Sequence, residues 1–322
     1  MVTPKTLYAP MDSSQAKLPR ELPLTVLIAT KNEEANLTRC LAALGPAQRV
    51  VVVDSFSQDS TPDIVRRVGA ELVNFQYHGG YPKKRQWALD LLVADAEWVL
   101  LLDPDEVVPP RLWCEIAEVI VKPPIHDAYF ITKGFHFLGR RFRFGGFSHA
   151  AVLLFRKGKA RFEELGDAHT NALDMEVHER VIVDGSVGKL KTALVHEDFK
   201  GIEAYIARHN QYSTWDANVR YYHLGKSQWG SRTIQAKLFG NTQERRRFIK
   251  KLVCLLPFES GIWFLYHYFI RLGFLEGRPG LIAARIRSHY IFQVRAKLYE
   301  LKKWGKQAHP EYALKPANGR ID

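Results

Sequence analysis

The sequence predicts an α/β protein: a doubly wound, mainly parallel, Rossmann-like sheet followed by a helical C-terminal extension. Three observations carry that expectation. Short strand-like runs recur at Leu24–Thr30, Val50–Val53, Ala70–Phe75 and Trp98–Leu102, each of a length suited to a buried strand. Helical periodicity separates them, and strand–helix alternation at this spacing means parallel strands joined by crossover helices. From Gly201 the pattern turns helical and stays so to about Trp304.

Along the chain, the first strand leads through Lys31–Glu34 into a helix over Ala35–Leu44, closed by Gly45-Pro46. The second strand ends at Asp54, and in the polar turn that follows Ser60 or Thr61 can cap a helix with Pro62 in its first turn. After the third strand, Gly79-Gly80 marks a loop before a helix over about Pro82–Val93. The apolar run Trp98–Leu102 stops at Asp103, where Pro104 cannot donate to a sheet ladder. A helix over about Pro109–Val121 then leads to short strands at Ala128–Thr132, Ala151–Phe155, Val181–Val183 and Ala193–His196. The aromatic and basic stretch Gly134–Phe147 reads equally as a hairpin packed on the sheet or as a loop gripping an acceptor.

A chain of 322 residues can bury a substantial core, as one large domain or two small ones. Cys40, Cys114 and Cys254 are odd in number and scattered, which argues against a disulfide framework or a zinc site and fits a reducing compartment. The N-terminal residues lack the apolar core of a secretory signal and read as a flexible tail. The net charge of +12 is uneven: residues 1–199 hold 24 Lys+Arg against 26 Asp+Glu, whereas residues 200–322 hold 22 against 8. Such asymmetry points to an anionic partner for the C-terminal part, either membrane or nucleic acid.

The chemistry-bearing residues gather at strand ends. In an extended chain residues i and i+2 point the same way, so Asp103 and Asp105 are expected to project together from the C-terminal end of their strand. Ligands of α/β sheets sit at that end. Two carboxylates there suit a hard divalent ion, Mg²⁺ or Mn²⁺, completed by substrate phosphate oxygens. The plainer reading is a strand running into a helix N-terminus favoured by Glu106. Asp54 is placed to accept hydrogen bonds from a ribose or base, or else caps a turn. Lys83, Lys84 and Arg85 face phosphates, or form a solvated run.

Three motifs, Ala29–Leu37, Val52–Thr61 and Leu101–Glu106, resemble in order and spacing the family 2 glycosyltransferases of the GT-A fold. Gly145-Gly146, Leu154–Arg156, Val177–Glu179, Asp184-Gly185, His196–Gly201 and Tyr205–Thr214 extend the resemblance to the subgroup containing lipopolysaccharide-core β-glucosyltransferases. The resemblance implies a GT-A catalytic domain over 23–200, with a nucleotide-sugar half at about 23–108 and an acceptor and metal half at about 109–200. Tails at 1–22 and 306–322 and a basic helical region at 201–305 complete the expected organisation.

The same resemblance implies an inverting, metal-dependent hexosyltransferase. Thr30, Glu33 and Asp54 would hold the base and ribose of a nucleotide-sugar, UDP-linked, with Asn32, Ser57, Lys84 and Arg85 completing the donor site. Asp103 would contact the ribose or the metal, Asp105 would be the main metal carboxylate, and His196 a further ligand through a neutral imidazole. Glu179 would be the general base, with Asp174 and Asp184 the next candidates. Without the resemblance, His196 reads as a satisfied histidine at a domain edge and Glu179 as a surface residue before a strand. Pro104 stands where relatives often carry alanine, and no Gln-x-x-Arg-Trp motif is present, which favours addition of one sugar over polymer synthesis.

A sugar-phosphate nucleotidyltransferase would open with a basic, glycine-rich loop after the first strand; Lys31–Glu34, with two acids, disfavours it. A non-enzymatic basic nucleic-acid- or membrane-binding protein would explain the C-terminal charge, yet no nucleic-acid motif supports it. The expected partners are a nucleotide-sugar, a cell-envelope glycan or glycolipid acceptor, and an anionic inner-membrane surface, with no nucleic acid. Arg245–Lys251, Leu252–Leu256, Ile262–Tyr266 and Tyr268–Ile270 combine charge and apolar bulk, but Pro257, Glu259, His267 and Arg271 interrupt them. The expectation is a cytoplasmic enzyme held peripherally on the inner membrane face, not one that spans it.

Overall fold

The computed structural model describes residues 21–304, apart from 94, 123, 165–172, 175, 177–178, 224–233, 235, 241, 255 and 257. The expected tails up to residue 20 and from 306, and His178, lie outside the described residues.

Strand β1 (Leu22–Thr30) lies inside a sheet whose strands run in the order 71–74, 47–54, 22–30, 98–102, 149–156, 128–137, 194–196 and 106–107. It begins at Leu22, a residue assigned above to the tail, because the Leu22 amide bonds to Pro46 O. Its neighbours β2 (Ala47–Asp54) and β4 (Trp98–Leu102) both run parallel to it, and β3 (Glu71–Asn74) is parallel to β2. All five side chains of β4 are buried, so its apolar run fills both faces of the sheet. Helices α1 (Glu34–Ala42), α2 (Thr61–Arg67) and α3 (Lys84–Leu91) make the crossovers. Ser60 precedes α2 without a side-chain capping bond; Pro62 sits in its first turn as expected.

Past β4, the short strand β5 (Glu106–Val107) and helix α4 (Pro110–Val121) lead to β6 (Ala128–Phe137), which is five residues longer at its C-terminal end than Ala128–Thr132. With β7 (Arg140–Arg141) it forms a hairpin whose turn residues, Leu138 and Gly139, both have positive φ. The Gly134–Arg141 part of the Gly134–Phe147 stretch is therefore a hairpin on the sheet. Strand β8 (His149–Arg156) runs antiparallel to both β4 and β6, while β9 (Ala160–Phe162) and β10 (Val181–Val183) form a separate pair. Two short strands, β11 (Val187–Lys189) and β12 (Leu194–His196), lie parallel to β6, and β12 also pairs antiparallel with β5.

The C-terminal part is helical: α5 (Gly201–His223), α6 (Thr242–Val253), α7 (Glu259–Leu265), a π segment (Tyr266–Ile270), a 3₁₀ segment (Gly273–Glu276) and α8 (Gly277–Trp304). Ala217 of α5 packs with Tyr290, Ile291 and Val294 of α8. Gly145 N donates to Arg271 O, and the buried Glu276 carboxylate accepts from the amides of Arg143 and Phe144, so the segment after α7 is bolted to the hairpin loop. Among the described residues, no helix is long and apolar enough to cross a membrane.

Candidate active site

Sheet order creates the site. In β1 and β2 Thr30 is the register partner of Asp54, and β4 ends beside them on the other flank of β1. A cavity of about 1710 Å³ opens over these ends. It is lined by Thr30, Asn32, Glu33, Lys84, Arg85, Asp103, Asp105, Glu179 and His196, nine of the residues expected to act. Helix α5 contributes Tyr205, His209, Tyr212 and Trp215, and the hairpin contributes Phe135 and Phe147.

Asp54 and Ser57 are not among the lining residues. The Asp54 carboxylate is buried and accepts from Thr30 Oγ1 (2.9 Å), Ser57 N (2.7 Å) and Ser57 Oγ (2.5 Å). Ser57 Oγ in turn accepts from the Asn32 amide at 2.7 Å, and Asn32 Oδ1 from the Gln58 amide. These groups knit the loops after β1 and β2 together, and Asn32 takes the positive φ that asparagine tolerates. Asp184 is exposed and does not line the cavity, whereas Asp174 does.

The extended geometry expected for Asp103 and Asp105 is replaced by a turn, closed by the Glu106 amide on Asp103 O at 3.0 Å. The two carboxylates still line one cavity but meet different partners. Asp103 is held by Arg85 and by Lys133 Nζ at 2.6 Å. Burial works against its charge, yet these two cations hold its carboxyl well below the usual range. Glu106 heads no helix: it is 0% exposed, accepts from the Asp103 amide, and lies 2.7 Å from Lys133 Nζ at an angle unsuited to a hydrogen bond. Burial pushes its carboxyl up.

Asp105 faces His196 Nε2 at 3.3 Å, because β12 brings His196 opposite Glu106 and the Glu197 amide bonds to Asp105 O. Burial disfavours the charged ring, but the Asp105 carboxylate prevails and pushes His196 up to about 9. With that carboxylate as its neighbour, the ring favours the charged form. Asp105 Oδ1 is buried, with no hydrogen-bond partner among the described residues. Among the described residues no group of three or more His, Cys, Asp or Glu side chains is gathered as a metal cage. An orphaned carboxylate oxygen beside an imidazole nevertheless fits a divalent ion that draws its other ligands from substrate phosphates.

The run Lys83–Arg85 is not a solvated face. Lys83 Nζ pairs with Glu179 Oε1 at 2.5 Å, Lys84 Nζ reaches Thr30 O at 2.7 Å and Asp174 at 3.1 Å, and Arg85 donates to Glu176 O and Asp103. Glu179 is likewise no surface residue. The sequence reading missed Lys133, Glu176 and Lys200, whose ammonium sits 2.6 Å from Glu33. Lys133 had a signal: it is the one charged residue in the strand run Ala128–Phe137.

Comparison with known proteins points the same way. Residues 25–170 match the model of Glycosyl transferase family 2. They form a family 2 glycosyltransferase domain. The chain is 27% identical over 292 residues to the lipopolysaccharide core biosynthesis glycosyltransferase LpsC of Rhizobium meliloti (strain 1021), covering 87% of this chain and 93% of that one. An uncharacterized glycosyltransferase of Rickettsia typhi is 27% identical over 289 residues, 86% of this chain and 87% of its own. Among solved structures, the mannosyltransferase PcManGT of Pyrobaculum calidifontis, in complex with GDP-Man and Mn²⁺, is similar at a TM-score of 0.46 and 15% identity over 89% of each chain. S. aureus TarS 1–349 is similar at a TM-score of 0.38 and 19% identity, over 87% of this chain and 92% of that one. The protein is thus a glycosyltransferase of GT-A fold with a helical C-terminal region, which sets aside the nucleotidyltransferase and non-enzymatic readings.

Proposed function

We propose that this glycosyltransferase moves one sugar, with inversion, from a UDP-linked donor to a cell-envelope glycan or lipid-linked acceptor, and that it needs Mn²⁺ or Mg²⁺. The likeness to LpsC, a lipopolysaccharide core glycosyltransferase, supports the acceptor class. One observation carries the chemistry: the orphaned Oδ1 of Asp105 and the Glu179 carboxylate line the same cavity over the strand ends.

In this reading Asp105 and His196 would hold the metal, His196 through a neutral imidazole. Asp103 contacts the ribose or the metal by exchanging one of its two cationic partners, Arg85 or Lys133. Thr30, Asn32 and Glu33 take the base and ribose, while Asp54 and Ser57 brace the loops that carry them. Lys84 and Arg85 face the diphosphate. Glu179, oriented by Lys83, accepts the proton of the acceptor hydroxyl as that oxygen bonds to the anomeric carbon. The bond from that carbon to the diphosphate breaks on the opposite side, which inverts the centre. A divalent ion supplies charge neutralisation at the departing nucleoside diphosphate. The enzyme works on the inner face of an anionic membrane, reached through the C-terminal helices.

Calorimetric titration with UDP, GDP and CDP, each in Mn²⁺ and in EDTA, tests the reading. Metal-dependent binding selective for UDP is the expected result. Equal binding in EDTA would overturn the metal assignment, and selectivity for another nucleotide would overturn the donor.

A further inference from the structure

Helix α7 and the π segment after it are two-faced. Phe258, Ile262, Leu265, Tyr266, Phe269 and Ile270 are all exposed, Phe258 by 83% and Ile270 by 70%. From Ile262 on, their spacing of three, four and one repeats along a single helical stripe, with Phe258 just ahead of α7. The opposite side carries Trp263 and His267, which line the cavity. Trp263 meets Phe147 edge-on at 6.0 Å, and His267 Nδ1 lies 2.6 Å from Gly145 O.

Further exposed apolar residues follow along the chain. Leu272, Phe274 and Leu275 are exposed around the 3₁₀ segment, as are Leu281 and Ile282 in the first turns of α8. Solvent-exposed apolar groups this numerous and this close together mark a contact surface, not ordinary surface scatter. The chain also enters and leaves the stripe through Phe258 and Leu272, whose φ values of 58° and 60° are unfavourable for bulky residues. Strain of that sort persists where the surrounding structure enforces it.

Charge says what kind of surface it meets. Between Leu256 and Phe292 there are only two acids, Glu259 and Glu276, and they are 5% and 2% exposed. Arg220 neutralises the first and Arg140 the second. Arg271, Arg278 and Arg285 are exposed in the same span. An apolar face edged by arginines and stripped of exposed carboxylates complements an anionic headgroup layer. The stripe from 258 to 270 is too short to span a bilayer, which takes about 20 residues, so it suits a helix lying in the interface.

We propose that this face, formed by α7, the π and 3₁₀ segments and the start of α8, seats in the headgroup layer of an anionic bilayer. It deepens the membrane attachment in the function proposed above by naming the docking element, and its test does not depend on that reading's chemistry. The cavity wall formed by Trp263 and His267 then stands one helix, about 10 Å, above the lipid, within reach of a lipid-borne hydroxyl.

The test is flotation of the full-length chain with vesicles of phosphatidylcholine alone, or mixed with phosphatidylglycerol, at low and high salt. The wild type is expected to float with the mixed vesicles and to detach as salt rises. Changing Ile262, Leu265, Phe269 and Ile270 together to Ser should cut flotation at least tenfold; so should changing Arg271, Arg278 and Arg285 to Gln. UDP binding, which checks the fold, should stay unchanged in both. A wild type that never floats, or variants that float as well as it does, would overturn the proposal. So would a dimer, seen by light scattering, that the Ser variant dissolves without altering flotation. If no nucleotide binds yet flotation behaves as stated, the donor reading falls and the docking surface stands.

Discussion

Lys83 Nζ lies 2.5 Å from Glu179 Oε1, joining the residue before α3 to a loop 96 positions on. The two side chains are 4% and 3% exposed. The indole of Trp215 lies beside the ammonium, 5.3 Å from ring centre to Nζ. A desolvated pair of this kind fixes the carboxylate on the cavity wall.

Glu179→Gln keeps shape and removes basicity. If Glu179 is the general base, turnover should fall by about 10²–10⁴-fold, with the donor dissociation constant unchanged. Turnover within a few-fold of wild type would move the base to Asp174, which also lines the cavity. Lys83→Met should instead lower stability by removing the buried ammonium that faces Glu179, read from urea unfolding. The double variant should lose less than the sum of the two, because the two side chains touch and their effects couple.

Asp105→Asn should abolish the stabilisation of the chain by UDP with Mn²⁺ while its melting temperature without ligands stays close to wild type. Asp105 Oδ1 has no hydrogen-bond partner to lose among the described residues, so the folded chain gives up little beyond the pairing with His196. Undiminished metal-dependent stabilisation in the variant would assign the ion to other ligands.

The parallel half of the sheet was legible because its signals are local. Trp98–Leu102 is the strand the apolar run describes, with the same ends. Thr30, Asp103 and Asp105 follow from strand ends, since a parallel sheet aligns them along one edge. What escaped reading depends on distant pairing. Glu106 looks like the first residue of a helix until β12 pairs with β5 and buries it. Asp54 reads as a strand-end acceptor, but that Thr30 and Ser57 donate to it needs the fold. Lys133 gains its meaning only when β6 lies beside β12 and points the ammonium at Asp103 and Glu106. The exposed stripe after Phe258 was visible as apolar bulk, but its two-faced character needed the contacts of Trp263 and His267.

Lys133→Met tests that buried cluster. Lys133 is the cation shared by Asp103 and Glu106, so its loss should destabilise the fold by about 3–5 kcal/mol. Adding Glu106→Gln should restore part of the loss, because a neutral side chain needs no counter-charge. A Lys133→Met variant as stable as wild type would show that Arg85 alone balances the site.

The last prediction concerns pH and His209 on α5. Its ring stacks on Tyr205 at 4.0 Å, meets Tyr290 edge-on at 5.8 Å, and directs Nδ1 at Tyr205 O, 2.8 Å away. A carbonyl only accepts, so Nδ1 carries the hydrogen. Burial pushes the ring down to about 4; Arg287 and Arg208 add to this, while the bond to Tyr205 and the charge of Asp198 work against it. The folded state thus binds a proton less readily than the unfolded chain, in which histidine titrates near about 6.5. Stability from this group is fully present above that value and is lost as pH falls from about 6.5 toward 4. His209→Gln keeps a donor and does not titrate. Its melting temperature should fall less steeply than that of the wild type between pH 6.5 and 4, while the two curves run parallel above pH 7. Equal slopes through the acid range would mean that His209 protonates as easily in the folded chain as in the unfolded one.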